Sequence, residues 1–321
     1  MIAFFLRRWF LISLAVILLA GINGHAYLEF LTQLPGLRAV IVVAVMFLMA
    51  FPLRFDALQD SLKRPAAPAL GFFLNYGLLP LWAWLWCGVM VAWGWRSDLG
   101  DGLLAASAAP CTLASAAVWT RRAGGNAAAA ILVTFSTNML CFVITPLWLT
   151  WMLGKSVQLD PLSMMIKLAL LVVAPMAAGQ LLRLLPNVAP WADRRKPTMS
   201  VLAQCGVLMM VLLGAIHAGK TLQAADGIAV GGQLLWMLGL VLVIHLSMLT
   251  LGMALARWAG LPREDHIAVG FAGSQKTCMV GLETCAQTGV SILPMVAYHV
   301  SQMLIDTVIA DRWKTASQNN E

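Results

Sequence analysis

Residues 270–283 read GFAGSQKTCMVGLE, an apolar segment interrupted near its middle. They place four polar side chains in a row inside an apolar segment, namely Ser274, Gln275, Lys276 and Thr277. A charged side chain at the centre of a bilayer costs about 2.5–3.5 kcal/mol on insertion scales, so such residues are usually functional. A second interrupted segment lies in the first half, where residues 105–119 read AASAAPCTLASAAVW. We interpret the two segments as broken helices that meet inside a membrane.

The composition of the whole chain predicts an all-α integral membrane protein. Of its 321 residues 60% are hydrophobic and 11% are charged, and the mean hydropathy is +0.82. A soluble domain of ordinary charge content could not bury so much apolar surface. Because about twenty apolar residues span a bilayer, the apolar stretches predict ten spans. They are residues 9–24, 40–53, 71–95, 102–119, 127–153, 164–185, 199–217, 231–258, 267–286 and 292–310. A nine-span alternative makes 40–53 or 102–119 re-entrant.

The placement of charge predicts the orientation of the chain. The net charge is +7, and fifteen of the 21 basic residues fall in loops on one side of the ten-span arrangement. Lys and Arg are enriched in cytoplasmic loops, which predicts both termini in the cytoplasm and no nucleic-acid partner. The composition suggests a bacterial cell, and the expected location is then the inner membrane. Residues 1–26 resemble a secretory signal peptide, but removing them would leave nine spans, so a retained first helix is preferred. The six cysteines lie in apolar spans without a CxxC pair, which argues against a disulfide framework, a zinc site or another cofactor.

The order of the spans predicts two inverted repeats of five helices, residues 1–153 and 161–312. An odd number of spans per repeat forces opposite orientations, and broken helices at equivalent positions are typical of secondary transporters with a site at the midplane. Lys276 lies ten residues after His266, and Cys111 lies nine after Gly102. At 1.5 Å per residue both are about 15 Å deep, the middle of an apolar layer of about 30 Å. Spans four and nine are therefore expected to cross there.

Three residues are expected to interrupt the crossing helices. Pro110 removes a backbone donor from the first segment, and Gly270 and Gly273 are expected to loosen the second. The carbonyl groups freed in this way coordinate cations, and half-helix N-termini attract anions. The alternative is that Pro110 makes only a kink and that the glycines allow close packing.

Polar residues on and near these segments are the candidate binding groups. At the breaks they are Thr112, Ser115, Ser274, Gln275, Lys276 and Thr277. The fifth span adds a stripe at helical spacing, Thr134, Asn138, Cys141 and Thr145, and the tenth adds His299, Gln302 and Asp306. Hydroxyl groups often bond their own helix, so the first stripe alone leaves a packing role open. For Lys276 the alternative is a buried ion pair with Glu283 or Asp306. We interpret the remaining histidines as interfacial or packing residues, namely His25, His217, His245 and His266.

Three segments of the chain resemble the bile acid:sodium symporter superfamily, in particular its SBF-like branch. They are APCTLASAAVWTRRAGGNAAAAILVTFSTNMLCFVITP at 109–146, GSQKT at 273–277 and PMVAYHVSQ at 294–302. The resemblance covers nearly the whole chain. It implies ten helices in two inverted repeats, with a mobile core domain (spans three to five and eight to ten) against a panel domain (spans one, two, six and seven). The fourth and ninth helices would cross at the site.

The chain departs from the sodium-coupled members of that superfamily at several ligand positions. Three of these positions look retained, Ser115, Thr134 and Gln275. Three others are replaced, with Ala116 for Asn, Ala130 for Ser and Phe271 for Glu. Lys276 follows Gln275 where the sodium-coupled pattern has Asn, and this lysine is typical of the SBF-like branch.

These departures lead to a mechanistic hypothesis in which the Lys276 ammonium takes the place of a bound sodium ion. Because burial disfavours the charged form of a lysine, Lys276 could also release and regain a proton, so that sodium or a proton is the candidate coupling ion. The positive site favours a small organic anion, a claim that rests mainly on analogy. A cation or proton exchanger and a sodium-coupled symporter of the same fold are the alternatives. A non-transporting membrane regulator and a hydrolase using Ser274 with His299 have less support.

Overall fold

The structure, a computed structural model, describes residues 2–54, 63–94, 97–113, 115–154, 157, 159–223 and 227–318. Within these residues every regular element is a helix. The helices are α1 (Ile2–Asn23), α2 (His25–Leu28), α3 (Phe30–Gln33), α4 (Leu37–Ala50), α5 (Ala66–Ala92), α6 (Ser97–Ser107), α7 (Ala116–Arg122), α8 (Ala127–Leu153), α9 (Pro161–Leu182), α10 (Val188–Gln223), α11 (Gly227–Trp258), α12 (Arg263–Ser274), α13 (Cys278–Thr288) and α14 (Leu293–Gln318). The predicted all-α polytopic class is confirmed.

Six of these helices are long and apolar enough to cross a membrane, namely α5, α8, α9, α10, α11 and α14. A seventh span arises if the residues 12–23 and 25–33, which are bent by 91°, count as one. The predicted spans four and nine are each built from two shorter helices, α6 with α7 and α12 with α13. The count of ten and the inverted relation of 1–153 to 161–312 therefore stay predictions. The predicted end of span three, Trp95, lies outside the described residues.

Helix α10 is the axis of one group of helices, because α1 and α4 pack along it and α9 packs on α4. Small residues set these contacts. A Cβ atom on Gly206 would lie 2.2 Å from Val45 Cγ2, and one on Gly21 would lie 2.6 Å from the Cβ of Ala215. Membrane helices associate through close packing of this kind, because lipid supplies no hydrophobic drive to bring them together.

A second group surrounds the broken helices and contains α5, α8, α11 and α14. Helix α12 packs between α11 and α5, and α6 packs against α5 and α14. Leu74 of α5 fills the space above two glycines, since a Cβ atom on Gly252 or Gly273 would lie 2.5 or 2.3 Å from its Cδ2. The second broken pair is thus held by dense packing on several sides.

The structure corrects the predicted role of Gly270 and Gly273. Helix α12 continues through both glycines and ends at Ser274, so the break begins at Gln275. A Cβ atom on Gly270 would lie 2.9 Å from Met253 Cγ. The glycines allow close packing, which was the alternative interpretation, because Met253 and Leu74 lie where their Cβ atoms would be. Pro110 does lie in the first break, between α6 and α7.

Helix α5 contains a π-helical turn at Leu74–Leu78. Such a turn widens the helix locally, so that carbonyl groups lose their usual partner four residues on. The Tyr76 carbonyl accepts a hydrogen bond of 2.7 Å from Trp148 Nε1 of α8. The Asn75 carbonyl points instead toward the second break, where it becomes part of the candidate site.

Candidate functional site

The two broken helices touch through their backbones. The Thr277 amide donates to the Pro110 carbonyl at 2.8 Å. Both breaks are buried inside the protein, and Lys276 and Gln275 are fully inaccessible to solvent. The predicted meeting of the two interrupted segments therefore corresponds to a direct hydrogen bond between them.

The first break exposes four consecutive carbonyl groups, those of residues 108–111, and each finds a donor outside its own helix. Helix α8 supplies two of the donors. Thr145 donates to Ala108 O at 2.8 Å, and Asn138 donates to Cys111 O at 2.7 Å. Buried backbone carbonyls are rarely left without a partner, so the polar stripe on α8 stabilises the open form of this break. Cys141 lies between Asn138 and Thr145 in the same stripe, and its side chain is also buried.

The second break supplies the other two donors. Thr277 donates its amide to Pro110, as described, and Lys276 Nζ donates to Ala109 O at 2.8 Å. Thr277 thus contributes through its backbone. The lysine crosses from one broken helix to the carbonyl end of the other.

The Lys276 ammonium is held by three oxygen atoms. They are Ala109 O at 2.8 Å, Asn75 O at 2.7 Å and Asn75 Oδ1 at 3.2 Å. The Tyr76 ring lies below it, with its centroid 5.4 Å from Nζ, a distance at which a ring attracts a cation. An ammonium has three N–H donors and no acceptor, so three acceptors match its charged form. A neutral amine would turn a lone pair toward a carbonyl oxygen.

The alternative of an ion pair for Lys276 is wrong. Glu283 accepts a hydrogen bond of 2.8 Å from Gln287 one turn further along α13. Asp306 accepts from Gln275 and lies 2.8 Å from His245 Nε2. Neither carboxylate is among the partners of the Lys276 ammonium, so its charge is solvated by neutral oxygens alone.

The polar stripe of α14 faces the second break, as the spacing predicted. Gln302 brackets the backbone of Lys276, since its Oε1 accepts from the Lys276 amide at 2.9 Å and its Nε2 donates to the carbonyl at 2.8 Å. His299 Nδ1 lies 3.0 Å from Gln302 Nε2, and its ring meets Phe10 of α1 edge-on. Asp306 completes the stripe through its contact with Gln275. These side chains replace the backbone partners that an unbroken helix would have provided.

Gln275 links the two breaks through side chains. Ser115 Oγ donates to Gln275 Oε1 at 2.9 Å and lies 3.1 Å from Thr112 Oγ1. Ser274 has a different role, because its hydroxyl donates to Gly270 O of its own helix at 2.7 Å. Thr112, Ser115 and Gln275 therefore form one connected group, whereas the Ser274 hydroxyl is turned back on α12.

The positions that look retained from a sodium site have protein partners in this structure. Thr134 donates to Ala130 O at 3.0 Å and Ile131 O at 2.8 Å of its own helix, as hydroxyl groups often do. Ser115 and Gln275 bond each other. At the crossing, within the part of the chain that the structure describes, the converging oxygens of Ala109 and Asn75 hold the Lys276 ammonium, so these residues do not fit a sodium ion there.

Asn138 is an exception to the otherwise complete bonding of the site. Its Nδ2 faces the carbonyls of Cys111 and Thr134, which fixes the orientation of the amide. Its buried Oδ1 has no partner. A buried unpaired acceptor is costly, and this atom can accept from water or bind a cation.

Two cavities lie at different heights along α10. One, of about 160 Å³, is bounded by Ser200 and Gln204 on α10, reaches Leu113 in the first break, and is lined by Arg121 and Lys196. The other, of about 130 Å³, begins at Met210 of α10 and extends along α13. From residue 204 to residue 210 the helix rises about 9 Å, so a short packed segment separates the two cavities.

Two central residues escaped the sequence analysis. Asn75 donates from Nδ2 to Gln275 O at 2.9 Å, and it reaches the carbonyls of Ala272 and Gly273 at 3.2 and 3.3 Å. A lone Asn within an apolar span is itself a signal of function. His245 of α11, which we interpreted as a packing residue, is fully buried against Asp306. It carried the same signal as Lys276.

Comparisons with known proteins agree with the motifs. A model of the SBF-like CPA transporter family matches residues 8–315. Sodium/bile acid cotransporter 7-A of Xenopus laevis is 23% identical over 323 residues, which cover 96% of this chain and 92% of the relative. Sodium/bile acid cotransporter 7 of Danio rerio is 25% identical over 328 residues, covering 96% and 94%. An uncharacterised protein of Pseudomonas aeruginosa is 29% identical over 226 residues, covering 67% and 66%.

Proposed function

The chain belongs to the SBF-like CPA transporter family and is a membrane transporter of the bile acid:sodium symporter type; within that type, we propose that it moves a small organic anion by alternating access without sodium. The Lys276 ammonium takes the place of the ion. The observation that carries the proposal is the set of three neutral oxygens around Nζ, from Ala109 and Asn75. An oxygen shell of this kind suits a hard cation, and here the chain supplies the cation itself.

The charge around the site supports an anionic substrate. Lys276 has no carboxylate partner, so a positive charge remains uncompensated in a region of low dielectric constant. Arg121 and Lys196 line the nearby cavity, and no carboxylate is among the residues that line it. Within the described residues neither cation has an ion-pair partner. An anion entering this cavity would meet the positive charges of Arg121 and Lys196.

The packing supports alternating access. The broken helices belong to the group around α5, α8, α11 and α14, and the cavities lie between this group and α10. We assign the broken helices, with α5, α8, α11 and α14, to a moving core domain. We assign α1, α4, α9 and α10 to a static panel domain. On this assignment α6 with α7, and α12 with α13, count as spans four and nine of ten. Sliding of the core along α10 would open one cavity and close the other.

The predicted orientation completes the proposal. With both termini in the cytoplasm of a bacterial cell, the end of α7 that carries Arg121 faces inward, as does Lys196 near the start of α10. The cavity lined by these two residues is then the cytoplasmic one. The other cavity, along α13, then faces the opposite side of the membrane. Membrane lipid surrounds the helices that enclose the two cavities.

Flux into proteoliposomes tests the proposal. Taurocholate is a suitable probe, because its sulfonate stays ionised and does not cross lipid unaided. We expect uptake by the wild type at equal rates in sodium and choline buffers, and loss of uptake in Lys276→Met. Lys220→Met, which removes an exposed lysine paired with Glu29, is the matched control. Uptake that strictly requires sodium would overturn the proposal.

A sodium-coupled symporter is the second candidate, and the unpaired Asn138 Oδ1 favours it. That atom is buried beside the first break, where it can coordinate an ion at a position separate from the Lys276 ammonium. The same liposomes separate the candidates when sodium, potassium and proton fluxes are followed with and without taurocholate. Cation movement in the absence of any anion would instead indicate a cation or proton exchanger.

A further inference from the structure

His245 and Asp306 form a fully buried ionisable pair beside the crossing. His245 lies on α11 and Asp306 on α14, and both side chains are inaccessible to solvent. The distance from His245 Nε2 to Asp306 Oδ1 is 2.8 Å. A buried ionisable pair within a membrane helix bundle marks a functional site by default, and the transport mechanism described above does not use it.

The hydrogen bonds around the pair fix its proton content. His245 Nδ1 lies 3.3 Å from the carbonyl of Ser274, the last residue of α12. That carbonyl also accepts from Tyr298 Oη at 2.8 Å. Because a carbonyl can only accept, Nδ1 carries a hydrogen. The other ring nitrogen, Nε2, then faces a carboxylate oxygen, and two acceptors approach to 2.8 Å only when a proton lies between them.

The second carboxylate oxygen shows on which side that proton sits. Asp306 Oδ2 accepts from Gln275 Nε2. In this orientation Gln275 Oε1 faces Ser115 Oγ at 2.9 Å and accepts its hydrogen. Oδ2 is therefore an acceptor, and the proton of the pair lies between Nε2 and Oδ1. In this conformation the pair holds one proton and has no net charge.

We infer that His245 and Asp306 are a proton-binding dyad, and that the proton they share is the coupling ion of anion transport. The inference rests on the proposed function and deepens it by naming the ion. The proton is taken from water on one side of the membrane and returned to water on the other. No other bond is made or broken.

The charge balance of the site explains the coupling. With the proton bound, the dyad is neutral and Lys276 leaves the site with one positive charge, which matches a monovalent anion. Without it, the dyad carries one negative charge, which cancels Lys276 and repels the anion. Low dielectric makes each such charge costly when unpaired. Anion and proton are therefore expected to bind together, one for one.

The other ionisable groups around the dyad are few. Tyr298 of α14 meets the His245 ring edge-on, with centroids 6.0 Å apart. The Cys111 thiol of the first break lies within electrostatic range of both Asp306 and Lys276 of the second break. On the side of α12 the dyad meets the Ser274 carbonyl. Lys276, the residue after Gln275, is the basic side chain next to this network, because Gln275 donates to Asp306 Oδ2.

Nitrogen NMR of the purified full chain labelled at histidine tests the dyad without any substrate. Loss of a signal in His245→Gln assigns the residue, and His266→Gln, which removes a histidine bonded to Leu261 O, is the matched control. We expect Nδ1 to stay protonated throughout, and the Nε2 signal to shift as the pH is raised and the shared proton leaves. In Asp306→Asn the Nε2 signal is expected to stay unprotonated. A wild-type Nε2 signal that does not change with pH would overturn the dyad.

Liposomes with a trapped pH dye test the coupling. With the voltage clamped, an inward taurocholate gradient is expected to acidify the lumen with wild-type protein and not with Asp306→Asn. Taurocholate uptake by the wild type without acidification would overturn the coupling and leave the proposed function standing. Absence of taurocholate uptake by the wild type, with an Nε2 signal that titrates, would support the dyad and overturn the proposed function, for which taurocholate is the test anion.

Discussion

Replacing Lys276 with Met tests the central feature of the site, because Met has a similar length but no donor. The substitution leaves the buried carbonyls of Ala109 and Asn75 without their ammonium partner. Each unsatisfied buried acceptor costs about 1–3 kcal/mol, so the variant is expected to lose about 2–6 kcal/mol before any relief from removing a buried charge. The three oxygens that it vacates are suited to a small cation.

Sodium is therefore expected to stabilise Lys276→Met and not the wild type. A ligand bound only by the folded state at a hundred times its dissociation constant adds about 2.7 kcal/mol. For a chain of 321 residues that corresponds to a rise in Tm of about 4 °C. The assay is thermal unfolding of the purified protein in sodium, potassium and choline chloride at fixed ionic strength, with Lys220→Met as the control for loss of a lysine.

Two results would refute the reasoning. Stabilisation of the wild type by sodium would show that an ion site exists beside Lys276, and the lysine would then have to bind substrate. A Lys276→Met variant as stable as the wild type in choline would show that the three oxygens do not depend on the ammonium.

Three further substitutions and one topology assay follow from the structure. Asn75→Ala removes the amide that serves three carbonyls of the second break, and a fall in stability of about 2–4 kcal/mol is expected in thermal unfolding. Gly273→Val drives a side chain into α5 and is expected to cost about 1–3 kcal/mol, whereas Gly88→Val, with open space around its Cβ, should be close to neutral. Arg121→Gln with Lys196→Gln should raise the KM for taurocholate more than it lowers kcat, and the effect should shrink at high ionic strength. A C-terminal fusion should be fluorescent as a cytoplasmic reporter and inactive as a periplasmic phosphatase; the reverse would invert the orientation.

The sequence predicted the meeting of the two breaks well, because polar and helix-breaking residues are rare in an apolar span. Lys276 and Pro110 stood out by residue type alone, and both lie where the breaks touch. The polar stripe on α14 was equally easy to recognise, since Gln302 and Asp306 are four residues apart and share one face of the helix. Such residues have few structural reasons to be in a membrane, so their presence is informative.

Contacts between distant helices were harder to predict. Gly270 and Gly273 were expected to break α12, but the helix runs through both, and Met253 and Leu74 occupy the space that a Cβ atom would need. Whether a glycine breaks a helix or allows close packing depends on the residue that faces it from the neighbouring helix, and a single sequence does not show that residue. Asn75 was missed for a related reason, because its importance comes from carbonyls almost two hundred residues away.

The π-helical turn of α5 makes one property of the site independent of side chains. The Asn75 carbonyl is free to hold the Lys276 ammonium because the turn at Leu74–Leu78 contains more residues than an α-helical turn would. No substitution at position 75 removes that oxygen. Deleting a single residue from the turn would restore an α-helical turn and return the carbonyl at this position to a partner within the helix. The affinity of this site for a cation therefore depends partly on the number of residues in the turn. An insertion or deletion within the turn would change the Asn75 carbonyl contact, whereas a substitution at position 75 leaves that oxygen in place.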